Sequence, residues 1–435
     1  MRKLMLGILV LAAAGGLVAQ EFKFDGYFNS GLGIVSTNTK VPDGTDTKTA
    51  DIKLVPFGVD SEQAGYRVRL NGSYTNAEGT VGTKLRLQAQ SKFDLGALSI
   101  PYIYGWVSFL NKRITVNGGL VDDGTWNSGG FLNDDTGEGL GALVKISPFA
   151  DLNLGVGVYV ITPKGGGDNN IIEVPAGSAA STASSSDFSS IDIPPDRIKY
   201  TLNAGYTLPD LFKATVSYRT QNQTGDRISR YDDANSEVFA GSETAKLIFG
   251  FQLMAVQNLT AVVEAELDKL EDTGVDKEKD NVDFNLYETI GYKIGNLSFG
   301  LNAVQYLKFE KDVDHDVGLH FNPWVSYAMG SIVPRLDLNY FRAGTALTKS
   351  GVNPLPGVKY HRKVFAYSDN GDTDDLSVFA LRPSVKFNVD KNTAIEIGDL
   401  ITFANGPEGA FADAEDPKKS SNLNNVFYID LVWKF

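Results

Sequence analysis

Apolar side chains recur at every second position along this 435-residue chain, from near one end to the other. In the first such run, Phe22, Phe24, Phe28, Leu32 and Ile34 share a face. Between positions 151 and 160, Leu152, Leu154, Val156, Val158 and Val160 alternate with Asn153, Gly155, Gly157 and Tyr159. Ile198, Tyr200, Leu202, Ala204 and Tyr206 alternate with Lys199, Thr201 and Asn203, and Leu247, Phe249, Phe251 and Leu253 alternate with Lys246, Gly250 and Gln252. A period of two is that of a β-strand whose two faces meet different surroundings. A globular sheet with one continuous apolar face needs a second sheet or helices to cover it. No amphipathic helical stretch of useful length exists to do so. Lipid is then the simplest cover, and only a closed barrel meets lipid without unpaired sheet edges. The predicted fold class is all-β, a transmembrane antiparallel β-barrel.

The connections alternate in length. Short turns fall near 75–79, 111–112, 148–150, 208–211, 255–257, 294–296, 329–331 and 390–392. Long polar segments fall near 37–62, 122–138, 162–196, 222–242, 271–281, 310–315, 343–375 and 404–424, and a short connection near 94–96 lies on the long-loop side. Short periplasmic turns and long extracellular loops are the pattern of bacterial barrels. Counting along the chain gives 18 strands with both ends on the turn side, or 16 if one hairpin is misread. The segment from Pro163 to Pro195 is rich in Gly, Ser and Ala and reads as a solvated surface loop.

The N-terminus changes where this barrel is placed. Arg2 and Lys3 precede an apolar run from Leu4 to Val18, with the small Ala19 before Gln20. That run is short for a bilayer span and reads as a secretory signal over residues 1–19, leaving 20–435 as a single outer-membrane barrel domain. The chain has no Cys, which excludes disulfides and thiolate metal sites. Its formal charge is −13, and −15 once Arg2 and Lys3 leave with the signal. Such acidity argues against nucleic acid as a partner.

Charged residues cluster on the polar faces of three strands. Arg67 and Arg69 oppose Tyr66, Val68 and Leu70; Lys84 and Arg86 oppose Leu85 and Leu87. These two runs form a hairpin, so the four cations are neighbours on one wall, repelling unless counter-charges or ions sit opposite. Glu264, Glu266 and Asp268 form an acidic patch against Val263, Ala265 and Leu267. Adjacent carboxylates can do acid–base chemistry, but three in a row on a lumen wall point to ion passage instead. The segment 122–138 is Gly-rich and acidic, with Asp122, Asp123, Asp134, Asp135 and Glu138 around Trp126 and Phe131. Two loops look calcium-like, Asp312–Asp314–Asp316 and Asp369–Asp372–Asp374, yet neither has the glutamate that completes an EF-hand. The three His, at 315, 320 and 361, have no triad or metal spacing, and no glycine pattern suits a phosphate or dinucleotide. No cofactor and no enzymatic activity are expected.

The chain ends on an apolar strand. Phe427, Ile429, Leu431, Trp433 and Phe435 share one face, and Tyr428, Asp430 and Lys434 the other. This ending resembles the C-terminal signal by which the outer-membrane barrel assembly machinery recognises its clients. The architecture as a whole resembles the bacterial general porins. That resemblance implies outer-membrane lipid, the assembly machinery and a homotrimer as partners. It also implies passive diffusion of small hydrophilic solutes or ions. The segment 122–138 resembles the third loop of general porins, which folds into the barrel as a constriction facing a basic wall; Gly31, Gly33, Gly155 and Gly157 would leave it room. The alternatives are a substrate-specific channel, for a sugar or another small nutrient, and a structural or adhesive surface barrel without an open pore. Tyr27, Tyr159, Trp324 and Tyr428 are candidates for an aromatic lining of the first.

Overall fold

In the computed structural model, the described residues are 21–38, 51–56, 66–91, 98–122, 138–160, 198–222, 243–268, 281–310, 316–342, 377–405 and 421–435. They form nineteen strands in chain order: β1 (Glu21–Asn38), β2 (Asp51–Pro56), β3 (Tyr66–Thr75), β4 (Val81–Ser91), β5 (Leu98–Phe109), β6 (Ile114–Asp122), β7 (Glu138–Phe149), β8 (Leu152–Val160), β9 (Ile198–Leu208), β10 (Phe212–Asn222), β11 (Glu243–Leu253), β12 (Leu259–Asp268), β13 (Asn281–Ile294), β14 (Leu297–Glu310), β15 (Gly318–Tyr327), β16 (Ile332–Arg342), β17 (Ser377–Asn388), β18 (Thr393–Asn405) and β19 (Ser421–Lys434). From β3 to β19 each strand pairs antiparallel with the next, and β1 closes the ring by pairing with both β19 and β3.

The barrel has eighteen positions, not nineteen, because β2 and β3 share one. Leu32 to Thr37 of β1 pair with β2, while Glu21 to Ser30 pair with β3 along the same edge. The strand β2 falls inside the segment 37–62 that the sequence reads as loop. All eight expected short turns fall between strands. Several place a residue in the left-handed region at the tip, such as Gly79, Asn258, Gly295 and Gly330, which tight reversals of this kind require.

The two faces separate as the alternation demands. Phe24, Leu32, Val156, Leu202, Phe249, Ile290, Phe309 and Phe427 stand exposed on the outside. Aromatic side chains gather at two heights there. Near the short turns, Phe22 contacts Tyr74, Phe212 stacks on Phe251, Tyr292 meets Phe299 and Trp433 meets Phe435. Nearer the long loops, Phe284 meets Phe309 and Phe379 meets Phe403. On β13 the two levels, Tyr292 and Phe284, are eight residues apart. A tilted strand covers about 20 Å of height over that stretch, close to the apolar band between the aromatic girdles of a membrane barrel.

The terminal strand is welded into the ring. Gly26 and Phe435 exchange two backbone hydrogen bonds of 3.0 and 3.1 Å. A Cβ at Gly26 would sit 2.6 Å from the Phe435 ring, so only glycine leaves room for the last aromatic. Inside the seam, the Asn29 amide donates to both carboxylate oxygens of Asp430, at 3.1 and 2.9 Å.

Candidate functional site

The lumen wall is built by the polar half of each strand. Arg67 and Arg69 on β3 and Lys84 and Arg86 on β4 all point inward, as pairings through Asn29–Arg67, Tyr27–Arg69, Asn71–Arg86 and Ser73–Lys84 require. Arg69 donates to Gln88 and lies over the Tyr27 ring at 5.4 Å. Arg86 donates to Asn71 at 2.9 Å, and Asn71 in turn donates to Asp25 at 2.5 Å. The guanidinium of Arg86 also covers the Tyr102 ring at 4.8 Å. These contacts hold the guanidinium planes against the wall and fix their direction.

Next to this wall stands an aromatic column that the alternation does not reveal. Tyr102, Tyr104 and Trp106 on β5 face inward, opposite Arg86, Lys84 and Gly82. The Trp106 ring lies over Gly82, where a Cβ would approach it to 2.6 Å. Tyr104 packs with Val121 and Leu143 in a small apolar cluster inside the lumen. The segment LSIPYIYGWVSF is apolar on both faces, so no polar face marks which side is inward. Tyr27, Tyr159, Trp324 and Tyr428 also stand on the lumen side, paired with Arg69, Lys199, Asp337 and Gly398.

The acidic residues lie on the far side of the ring. From β3 to β12, and from β4 to β13, is nine steps around eighteen positions, so these pairs of strands are diametrically opposed. Eighteen strands ~4.8 Å apart and tilted ~40° make a ring about 35 Å across. Glu264 and Glu266 face inward from β12 and are buried. They do not form a bare acidic surface. Lys246 of β11 binds Glu266 at 2.6 Å, and the buried Arg219 of β10 pairs with Lys246 across the strands. Lys246 offsets Glu266 there, with Arg219 beside it. The backbone of Asp268 pairs with Asp283, and the Asp268 side chain lies outside the described residues.

A third group of charges, Arg335, Asp337, Arg382 and Glu396, escaped the sequence reading. Arg335 makes two hydrogen bonds to Asp337, at 2.8 and 2.7 Å, and covers Trp324 at 4.6 Å. Arg382 lies 3.8 Å from Asp337 and 3.4 Å from Glu396. The Tyr428 hydroxyl donates to Glu396 at 2.8 Å. Register brings these residues together across β16–β19; their spacing along the chain gives no hint of it.

The segment 122–138 leaves the wall where Asp122 and Glu138 pair as the last rung of β6 and β7. Asp123, Trp126, Asp134 and Asp135, and the side chains of Asp122 and Glu138, lie outside the described residues. The space over Gly157 is taken by Leu143 and Thr201. Of the calcium-like residues, Asp316 lies 3.6 Å from Arg342 in an exposed pair, and Asp312, Asp314, Asp369, Asp372 and Asp374 lie outside the described residues. Among the described residues no group of three acidic or His side chains could hold a metal. His320 is buried on the lumen face, edge-on to Phe341. Phe427, Ile429, Leu431 and Trp433 lie on the outer face of β19, and Phe435 closes the seam.

No family model and no curated protein matches this sequence. Solved structures do. The chain is similar to the outer-membrane protein OpdK of Pseudomonas aeruginosa, with a TM-score of 0.52, 9% identity, and 95% of this chain and 99% of that one covered. It is also similar to OccAB4 of Acinetobacter baumannii (TM-score 0.48, 8% identity, 95% and 98% covered) and OccK3 of Pseudomonas aeruginosa (0.47, 10%, 94% and 95%). At such identity the likeness to OpdK is one of fold, and that fold is the porin-like, closed 18-stranded barrel.

Proposed function

We propose that this chain is a passive diffusion channel of the bacterial outer membrane, and that its lumen favours small anions. The observation carrying this reading is the unequal charge of its two opposed walls. Arg67, Arg69, Lys84 and Arg86 stand together on one wall, where Arg86 reaches Asp25 through Asn71. Across the lumen, the carboxylates Glu264 and Glu266 share their wall with the cations Lys246 and Arg219, Lys246 being bound to Glu266. A field from the basic wall therefore crosses the water between them, and an anion entering that field is drawn in. The segment 122–138, which resembles a porin constriction loop, narrows the passage in this reading and concentrates the field with its own acidic residues. The aromatic outer belts and the Phe435 seam support the outer membrane as its place, and the run over 1–19 reads as the secretory signal that would deliver it there.

The test is the reversal potential of the refolded protein in a planar bilayer under a salt gradient. Anion preference is expected, and changing Arg67, Arg69, Lys84 and Arg86 together to Ala should abolish it. Cation preference in the unaltered channel, or an unchanged reversal potential in the variant, overturns the reading. Failure to conduct at all would favour a structural or adhesive barrel. A second reading, a sugar- or nutrient-specific channel, is favoured by the column of Tyr102, Tyr104 and Trp106 beside the cations. Liposome swelling with graded sugars separates the two: a general channel sorts them by size alone.

A further inference from the structure

Glu288 lies on the outer face of β13, midway between the two aromatic levels. It pairs with Val263 of β12 and Ala303 of β14, and Val263 and its face-mate Ile290 are exposed on the outside. Four residues separate it from Tyr292 and four from Phe284, about 10 Å of height each way. A carboxylate at that depth is surrounded by acyl chains, and its side chain is too short to reach headgroups or water. Gln305 of β14 is its diagonal neighbour, directly across from Leu286. Neither side chain has a hydrogen bond or ion pair among the described residues. Asp399 of β18, also outward, differs, because the Asn425 side chain and the Leu400 backbone N–H donate to it. Ala261, Ala265 and Ala303 surround the Glu288 position. Small residues of this kind let a second wall approach closely.

We propose that the face formed by β12, β13 and β14 is the contact with a second copy of this chain, related by a two-fold axis along the membrane normal. Glu288 accepts a hydrogen bond from the partner's Gln305, and Gln305 donates to the partner's Glu288. A carboxylate and an amide placed diagonally on one face complement their own image about a two-fold axis. Lipid offers no donor at that depth. The threefold ring implied by the porin resemblance needs two different faces on each copy, whereas Glu288 and Gln305 lie on one.

The chain lacks Cys, so single cysteines report contact cleanly. Leu286 lies beside both polar groups. Leu286→Cys should give a disulfide-linked dimer on oxidation in lipid nanodiscs, whereas Leu70→Cys on the opposite wall should not. Native mass spectrometry of the unaltered chain should give a dimer. Glu288→Leu should give a monomer with the barrel still folded by its heat-modified gel mobility, while Glu288→Gln keeps the dimer. A monomer or trimer from the unaltered chain, a dimer from Glu288→Leu, or equal cross-linking at Leu70→Cys overturns the proposal. Should Glu288→Leu fail to fold, the cross-linking alone decides.

Discussion

Removing one partner of the Lys246–Glu266 pair should cost far more than removing both. The pair is 2.6 Å apart, and its side chains are 6% and 3% exposed. Arg219, also buried, stands across from Lys246, and Glu264 is buried on the same face of β12 as Glu266. Glu266→Leu leaves Lys246 without its carboxylate, and Lys246→Met leaves Glu266 without its cation. Each single change strands a buried charge, for which about 3–5 kcal/mol is expected. The double change restores balance and replaces ionic stems with apolar ones of similar volume, so its cost should stay below about 1.5 kcal/mol. The coupling energy is then several kcal/mol, well above the ~0.5 kcal/mol scatter of independent sites. Reversible urea unfolding of the barrel in lipid vesicles, followed by Trp fluorescence, measures all four corners of the cycle. Single variants within about 1 kcal/mol of the parent, or a double variant whose cost is the sum of the singles, would refute this account. Either result would mean that water reaches the cluster.

Other expectations follow from single contacts. Gly300→Ala would bring a Cβ to 2.5 Å from the Ile290 carbonyl oxygen and 2.9 Å from the Trp324 ring; the backbone must shift and the ring must leave the wall, costing about 1–3 kcal/mol and lowering single-channel conductance. Gly26→Val displaces the Phe435 ring from its seat, and Phe435→Ala empties that seat; both should lower the yield of folded barrel in a lipid refolding assay, with Gly26→Val the worse. Asp390, in the exposed turn between β17 and β18, accepts from the backbone N–H of Asn392 at 2.7 Å and of Thr393 at 2.8 Å, and from the Thr393 hydroxyl at 3.2 Å. These bonds, the Asn392 N–H foremost, hold its carboxyl below the usual Asp range. A lowered folded-state value adds stability above the unfolded-state value and loses it as pH falls through the folded one. Asp390→Ala should therefore lower the urea midpoint at neutral pH, and the difference from the parent should close in acid.

The cluster and the Glu288 face mark where sequence reading stops. The four cations of β3 and β4 are legible because a short turn joins their strands, so local alternation and hairpin geometry place them together. Lys246 and Glu266 are also joined through one hairpin, yet the run Glu264–Glu266–Asp268 reads as acidic alone, since its counter-charges lie on β10 and β11. Glu288 is visible in the sequence, but its meaning needs a known outer face and a measured depth. The column of Tyr102, Tyr104 and Trp106 is hidden because both faces of β5 are apolar.

The sequence by itself determined most of the strands and their inward and outward faces, the short turns, and a count of eighteen with sixteen as the alternative, because a period of two and turn chemistry are local properties. The tertiary structure decided what lies across from what. Closure put β3 opposite β12, let β2 and β3 share one position along β1, and gathered Asp337, Arg382, Glu396 and Tyr428 from four strands. Register and ring size are global quantities, fixed only when the last strand pairs with the first, and no window of sequence contains them.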